Sequence, residues 1–185
     1  IFDYADTSQF IVIQELDHTL HAIHPTGQKL WSAVIAGRIV GDIQQIEDRS
    51  LVFVTDKNRL YKIDTNGKTA KGFSASIPDE PTSTPYIADI QGKQNIFIPT
   101  AKAIYVYDMV ANRNTKWETI DIVGNIVGPI QKVNNDLLFA TTEGYIYWVD
   151  QDGNIQKEIN IDGDIQLKNG LAIHNNNLYV TDTDG

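Results

Sequence analysis

Cysteine is absent from the 185 residues. That excludes disulfides, thiolate metal sites and a cysteine nucleophile, and it leaves the compartment open, because periplasmic proteins often lack cysteine too. Positive charge is scarce. Fifteen Lys and Arg stand against 24 Asp and Glu, for a net charge of −9, and such a surface repels phosphate backbones, so no nucleic-acid partner is expected. No run approaches eighteen uninterrupted apolar residues, so no membrane-spanning helix is expected. The opening Ile1-Phe2-Asp3-Tyr4-Ala5 lacks a charged leader and a long apolar stretch and already reads as strand; a signal peptide is therefore not expected within the chain. Helical spacing never holds for more than a turn. What remains, at 42% hydrophobic and 21% charged residues, is the composition of one globular domain with a real core.

The chain is built on a recurring phrase. Leu51 to Gly67, LVFVTDKNRLYKIDTNG, aligns without gaps on Ile11 to Gly27 and on Leu137 to Gly153. Asn95 to Asp108 matches its first fourteen positions, and Asn177 to Gly185 matches its start. The anchors Ile11, Leu51, Asn95, Leu137 and Asn177 are spaced 40, 44, 42 and 40 apart. A period near 40 built from strands predicts propeller blades, here four full units and the first two strands of a fifth. The fold class expected is all-β: a single β-propeller over residues 1–185, made of four-stranded antiparallel blades and forming part of a larger ring. The second unit reads as strands over 38–46, 51–56, 59–64 and 68–75, rich in Val, Ile, Leu, Phe and Tyr.

Turn chemistry supports the pattern. His24 to Gly27, Asp64 to Gly67 and Asp150 to Gly153 each run from an acid or His to a glycine suited to positive φ. In the third unit Asp108-Met109-Val110-Ala111-Asn112-Arg113 reads as a turn two residues longer, and Pro78-Asp79-Glu80-Pro81 reads as an insertion between blades. A second phrase, Gly37 to Ile43 and Gly124 to Ile130, with Gly163-Asp164-Ile165 as a weaker copy, precedes the anchor; it suits a crowded innermost strand. Trp31 and Trp117 occupy the same place once two residues are removed, and are expected to seal one blade against the next.

Thr26-Gly27-Gln28-Lys29-Leu30-Trp31, preceded by Leu20-His21-Ala22-Ile23, resembles the tryptophan-bearing repeat of the quinoprotein-type propellers. The resemblance covers essentially the whole chain at repeat level, although only the first unit shows the full phrase. It implies a ring of four-stranded blades, often seven or eight. That superfamily includes quinone-dependent alcohol and glucose dehydrogenases and also non-catalytic scaffolds, such as the lipoprotein that assists outer-membrane barrel assembly in bacteria. The resemblance thus implies an extracytoplasmic place, in the periplasm or at the cell surface.

The dehydrogenase branch would need acids and an Arg or Lys around the quinone, a calcium held by Glu, Asn and Asp, and in the alcohol dehydrogenases a cysteine pair. No such cluster stands out, and no enzymatic activity, cofactor or resident metal is expected. Asp150-Gln151-Asp152-Gly153 and Asp182-Thr183-Asp184-Gly185 begin like calcium loops, but neither continues to a distal Glu. His18, His21, His24 and His174 form no zinc set, and the serines lack a neighbouring His and Asp pair. The expected role is a non-catalytic scaffold binding other proteins or the remaining blades of its own ring, with a ligand- or cofactor-binding propeller as the alternative. Function in propellers sits on loops. The interaction candidates are accordingly Asp79 and Glu80 in the proline-bounded loop, Met109, Asn112 and Arg113 in the longer turn, and Tyr145 and Tyr147, which share a strand face opposite Trp148.

Overall fold

The computed structural model describes residues 2–3, 9–90, 92–161, 165–175 and 177–184. The Gly163-Asp164 copy, Ile1, Tyr4 and Ala5 of the opening stretch read as strand, and the Gly185 end of the last acidic loop lie outside them. The described residues are nearly all β. The first sheet holds β1 (Phe2–Asp3), β2 (Gln9–Gln14), β3 (Thr19–Ile23) and β4 (Lys29–Val34); the second holds β5 (Ile39–Gln45), β6 (Leu51–Thr55), β7 (Arg59–Ile63) and β8 (Ala75–Ser76). The third is built from β9 (Tyr86–Ile90), β10 (Lys93–Pro99), β11 (Ile104–Asp108) and β12 (Arg113–Asn114), the last running into a 3-10 turn over Thr115–Thr119. β13 (Ile126–Val133), β14 (Asp136–Thr141), β15 (Tyr145–Val149) and β16 (Ile155–Asn160) make the fourth, and β17 (Leu167–His174) pairs with β18 (Asn177–Asp182) in the fifth. Every pairing between sequence neighbours is antiparallel. These are the blades of a β-propeller.

Both faces of each central blade are buried, which is why β6 reads as the continuous apolar run Leu51–Val54 and not as an alternation. Val52, Val54 and Leu60 face forward onto Ile96, Ile98 and Tyr105 of the third blade, while Leu51, Phe53, Tyr61 and Ile63 face back onto Phe10, Leu20 and Trp31 of the first. Phe97, Ile104, Val106 and Trp117 meet Leu137, Phe139 and Tyr147, and Leu138 and Ile146 meet Leu167 and Leu171. Four shared cores thus join five sheets, and among the described residues none joins the last sheet to the first. Trp31 and Trp117 sit in the cores between their own blade and the next. The Trp31 ring lies over Gly67, where a Cβ would come within 2.8 Å of it.

Two expectations about the third blade are corrected. The turn after β11 is no longer than its relatives: Asp108 N–H donates to Asn112 O as Asp64 does to Lys68 and Asp150 to Asn154. Ala111 stands at the glycine position with φ 67°. The two extra residues fall later, where β12 stops after two residues and the 3-10 turn carries Trp117 into its seat. The anchor also shifts by one. Leu51 pairs with Ile63 and Leu137 with Val149, but it is Ile96 that pairs with Tyr107 just before the turn acid. The hairpin at Ala101–Lys102 is one residue shorter, since Pro99 pairs with Ile104 five residues on, where the equivalent Val54 pairs with Leu60 six residues on. The second blade departs as well: its fourth strand is only Ala75–Ser76, with one isolated bridge from Ile63 to Thr69.

The turn acids set a pH limit. Partial burial pushes the Asp108 carboxyl up, but hydrogen bonds from Asn112 and Val110 outweigh it and hold the group below its ordinary value of 3.8. Asp150 is held low in the same way, burial being opposed by Asn154, Asp152 and Gln156. A depressed folded pKa contributes stability that is present above the unfolded value and lost as pH falls through the folded one. The thermal midpoint should therefore be flat with respect to these groups down to pH ~5 and fall below pH ~4. Asp150→Asn should flatten that acid limb, and an unchanged limb would contradict the assignment.

Candidate functional site

The first strand of each blade is its inner edge, and β5, β9 and β13 converge on a cleft of about 440 Å³ lined by Asp42, Gln44, Ser83, Thr84, Pro85, Tyr86, Pro129, Ile130 and Gln131. Local sequence explains its shape. The Val-Gly-Asp and Val-Gly-Pro phrases make bulges, with the ladder register slipping between Val40 and Gln44 and between Val127 and Gln131. β9 lies between these two kinked strands and keeps an unbroken register from Tyr86 to Ile90. Proline at position 85 holds the chain just outside that ladder. Asp42 N–H donates to Thr84 Oγ1 at 2.8 Å, which ties the second blade's bulge to the third blade's strand entry. Burial raises the Tyr86 phenol above its ordinary pKa, so it stays a donor. Asp42 is the sole carboxylate of the lining, and no Lys, Arg or His is among its residues. The cleft can exchange hydrogen bonds with a polar chain; it offers no paired nucleophile and base.

The structure disposes of the expected interaction residues unevenly. Tyr147 is fully buried, its ring stacked 5.5 Å from Phe139 and its hydroxyl accepting Val123 N–H at 3.0 Å, so it belongs to the interior. Tyr145 is half-buried and stacks on Tyr147 at 6.0 Å, with Trp148 on the opposite face beneath the Lys157 ammonium. Met109 packs against the core between the second and third blades, and Asn112 is engaged with Asp108. Asp79 and Arg113 come together at Tyr105: the phenol donates to Asp79 Oδ2 at 2.5 Å, and the Arg113 guanidinium lies 6.0 Å from the ring centre. Glu80 and Asp79 are exposed on the rim.

One further position repeats from unit to unit. Tyr61, Tyr105 and Tyr147 recur ten residues past Leu51, Asn95 and Leu137, with His21 in the same place in the first unit. Each phenol reaches the segment that enters its own blade: Tyr61 accepts Ala36 N–H at 2.8 Å, Tyr105 donates to Asp79, and Tyr147 accepts Val123 N–H. They are clamps on the blade-to-blade linkers. Tyr147→Phe should cost ~1 kcal/mol by orphaning the Val123 N–H, measurable by denaturant unfolding; no loss would remove the clamp from the account.

Two acid and histidine readings are resolved by geometry. Asp150 accepts from Asp152, Asn154 and Gln156, so its oxygens hold the turn. His24 pairs with Thr26 across its own turn at 2.8 Å. His21 departs from expectation. It is buried with Nδ1 2.7 Å from Ser32 Oγ, and its Nε2 lies 3.0 Å from Glu15 Oε1 but off the hydrogen-bond line. A serine does therefore have a histidine neighbour, brought there by the Ser32 to His21 cross-strand pairing, but neither residue lines the inner cleft.

No family model matches the chain, and no curated protein matches it. Solved structures do. The computationally designed Ika8 protein is 16% identical with a TM-score of 0.63, over 95% of this chain and 53% of that one. BBS1N, solved in complex with ARL6DN, is 9% identical with a TM-score of 0.68, over 95% and 58%. BamB from Moraxella catarrhalis is 13% identical with a TM-score of 0.51, over 95% and 65%. The chain thus spans between about half and two thirds of the proteins it resembles, and at these identities the likeness is one of fold: the chain is a β-propeller.

Proposed function

We propose that this chain is a non-catalytic scaffold of the quinoprotein type that binds other proteins in the bacterial cell envelope. The observation that carries the reading is where the polar side chains are committed. Asp108 and Asp150 hold turns, Tyr61, Tyr105 and Tyr147 hold linkers, and the inner cleft keeps hydrogen-bonding groups free of a nucleophile and base pair. That is the economy of a rigid frame presenting loops and a channel. A protein complex among the structural neighbours, BBS1N with ARL6DN, supports it, and so does the sequence resemblance to the quinoprotein-type propellers, whose non-catalytic members include an envelope lipoprotein.

The rival, a quinone-binding propeller, finds less support. A quinone flanked by carboxylates, with its calcium, calls for a cation and several oxygen ligands; the cleft offers one carboxylate and no cation, so its residues do not fit that group. A photo-crosslinking side chain placed at Glu80 in the full-length protein, in its native cell, tests the proposal. A discrete crosslinked protein in the envelope fraction is the expected result. Quinone-dependent dye reduction by the purified protein, or rim positions that crosslink to nothing, would overturn it.

A further inference from the structure

We propose that the inner cleft takes an extended peptide segment of a partner protein, with a lysine or arginine side chain set against Asp42. The inference rests on the protein-binding reading above and gives that reading a location. Three features of the cleft select this ligand class.

The first is the strand edge. Among the described residues β9 pairs with β10 alone, so on its other side alternate residues of a regular strand turn N–H and C=O toward the channel. An extended chain answers such an edge at the same two-residue spacing, the geometry of strand addition. A compact ligand does not. The neighbouring inner strands cannot serve in this way, because their bulges break the repeat at Gly41–Ile43 and Gly128–Ile130.

The second is the pair of carboxamides. Gln44 on β5 and Gln131 on β13 are both half-buried and flank β9 from opposite sides. Each carries a donor and an acceptor in one plane, which matches a peptide group. Thr84 Oγ1 already accepts the Asp42 N–H, so its own O–H remains to donate. Pro85, Pro129 and Ile130 give the apolar surface against which the side chains of a bound segment would rest.

The third is charge. Asp42 is exposed and stands in a lining without a cation. An ammonium or guanidinium is attracted there, and a carboxylate is repelled. At 440 Å³ the cleft lies within the usual range of ~300–1,000 Å³ for small-ligand sites, large enough for a few residues and not for a folded domain.

The test is an amide NMR titration of the full-length protein with three probes: acetyl-Gly-Thr-Lys-Thr-Gly-amide, the same peptide with Glu for Lys, and N-acetylglucosamine. The lysyl peptide is expected to shift Asp42, Gln44, Thr84, Tyr86 and Gln131, and to bind ~2–5-fold more tightly than the glutamyl peptide. Asp42→Asn, an exposed substitution, should abolish that preference while the thermal midpoint stays put. Equal binding of both peptides to the native protein would overturn the role of Asp42, and so would an unchanged preference in the variant. Shifts in the cleft with the sugar alone would overturn the ligand class. Shifts confined to the rim at Asp79, Glu80 and the 108–112 turn, or no shifts with any probe, would overturn the site. The scaffold reading would survive each of these results, because the crosslink at Glu80 is read separately; if that crosslink fails while the lysyl peptide binds, the scaffold reading is overturned and the cleft assignment is not.

Discussion

Trp117→Ala is expected to destabilise the protein by ~3–5 kcal/mol, the cost of a buried tryptophan truncated to a cavity. Trp117 is fully buried, meets Phe97 edge-on at 5.0 Å, and belongs to the core that holds the third blade to the fourth. The surrounding structure cannot collapse around the gap, because its walls are the central strands of two separate sheets. Denaturant unfolding reads the loss directly. Trp148→Ala is the control: that ring is only half-buried at the open end of the interface between the fourth blade and β17–β18, and its loss should be clearly smaller. Equal losses would mean that Trp117 does not seal the blades as described.

Gly128→Val is expected to cost ~3 kcal/mol or more, from two independent sources. Its φ is +68°, which costs a residue with a Cβ ~1–2 kcal/mol. An added Cβ would lie 2.4 Å from Asn169 O and 2.7 Å from the Cα of Gly170, backbone atoms of the next blade's inner strand that have no way to rotate aside. Gly27→Ala separates the two sources. Its φ is +89°, but nothing lies within 4 Å of the added carbon, so only the backbone strain applies. A Gly128→Val loss no larger than that of Gly27→Ala would show that the inner strands do not abut.

Much of this architecture was legible because the phrase repeats at the level of turns. Asp64 to Gly67 and Asp150 to Gly153 announce themselves through an acid that accepts backbone N–H groups and a glycine at positive φ. The third unit hid the same turn. Ala111 takes φ 67° without being glycine, so the acid-to-glycine signature is absent and the sequence pattern places the two extra residues in the turn instead of in the segment leading to Trp117. The register of β10 was hidden for a different reason. A one-residue slip exchanges the two faces of a strand, but Ile96, Phe97, Ile98 and Pro99 are all buried, so either register satisfies the hydrophobic pattern equally well. Only the length of the Ala101–Lys102 hairpin decides it.

The candidate site was less legible than the fold. Loops that differ between units looked like the natural places for a partner, yet Met109 and Asn112 are taken up by packing and turn bonds, and Tyr147 by a linker. The cleft draws on residues 42–44, 83–86 and 129–131, which come together only when three blades are set side by side. The repeat shows that the blades exist; it carries no information on which side chains meet across their inner edges. The tyrosine clamp was readable in principle, since its ten-residue offset is constant, but a recurring aromatic in a strand looks the same whether its hydroxyl is bonded or merely buried.

Site-resolved amide hydrogen exchange tests the repeat of blades most directly. Slow exchange should recur in paired runs, 51–55 with 59–63, 96–99 with 104–107, and 137–141 with 145–149, separated by fast segments at 64–74 and 109–112. Protection running unbroken through 64–74, or slow runs that ignore this spacing, would contradict a chain folded as successive four-stranded blades.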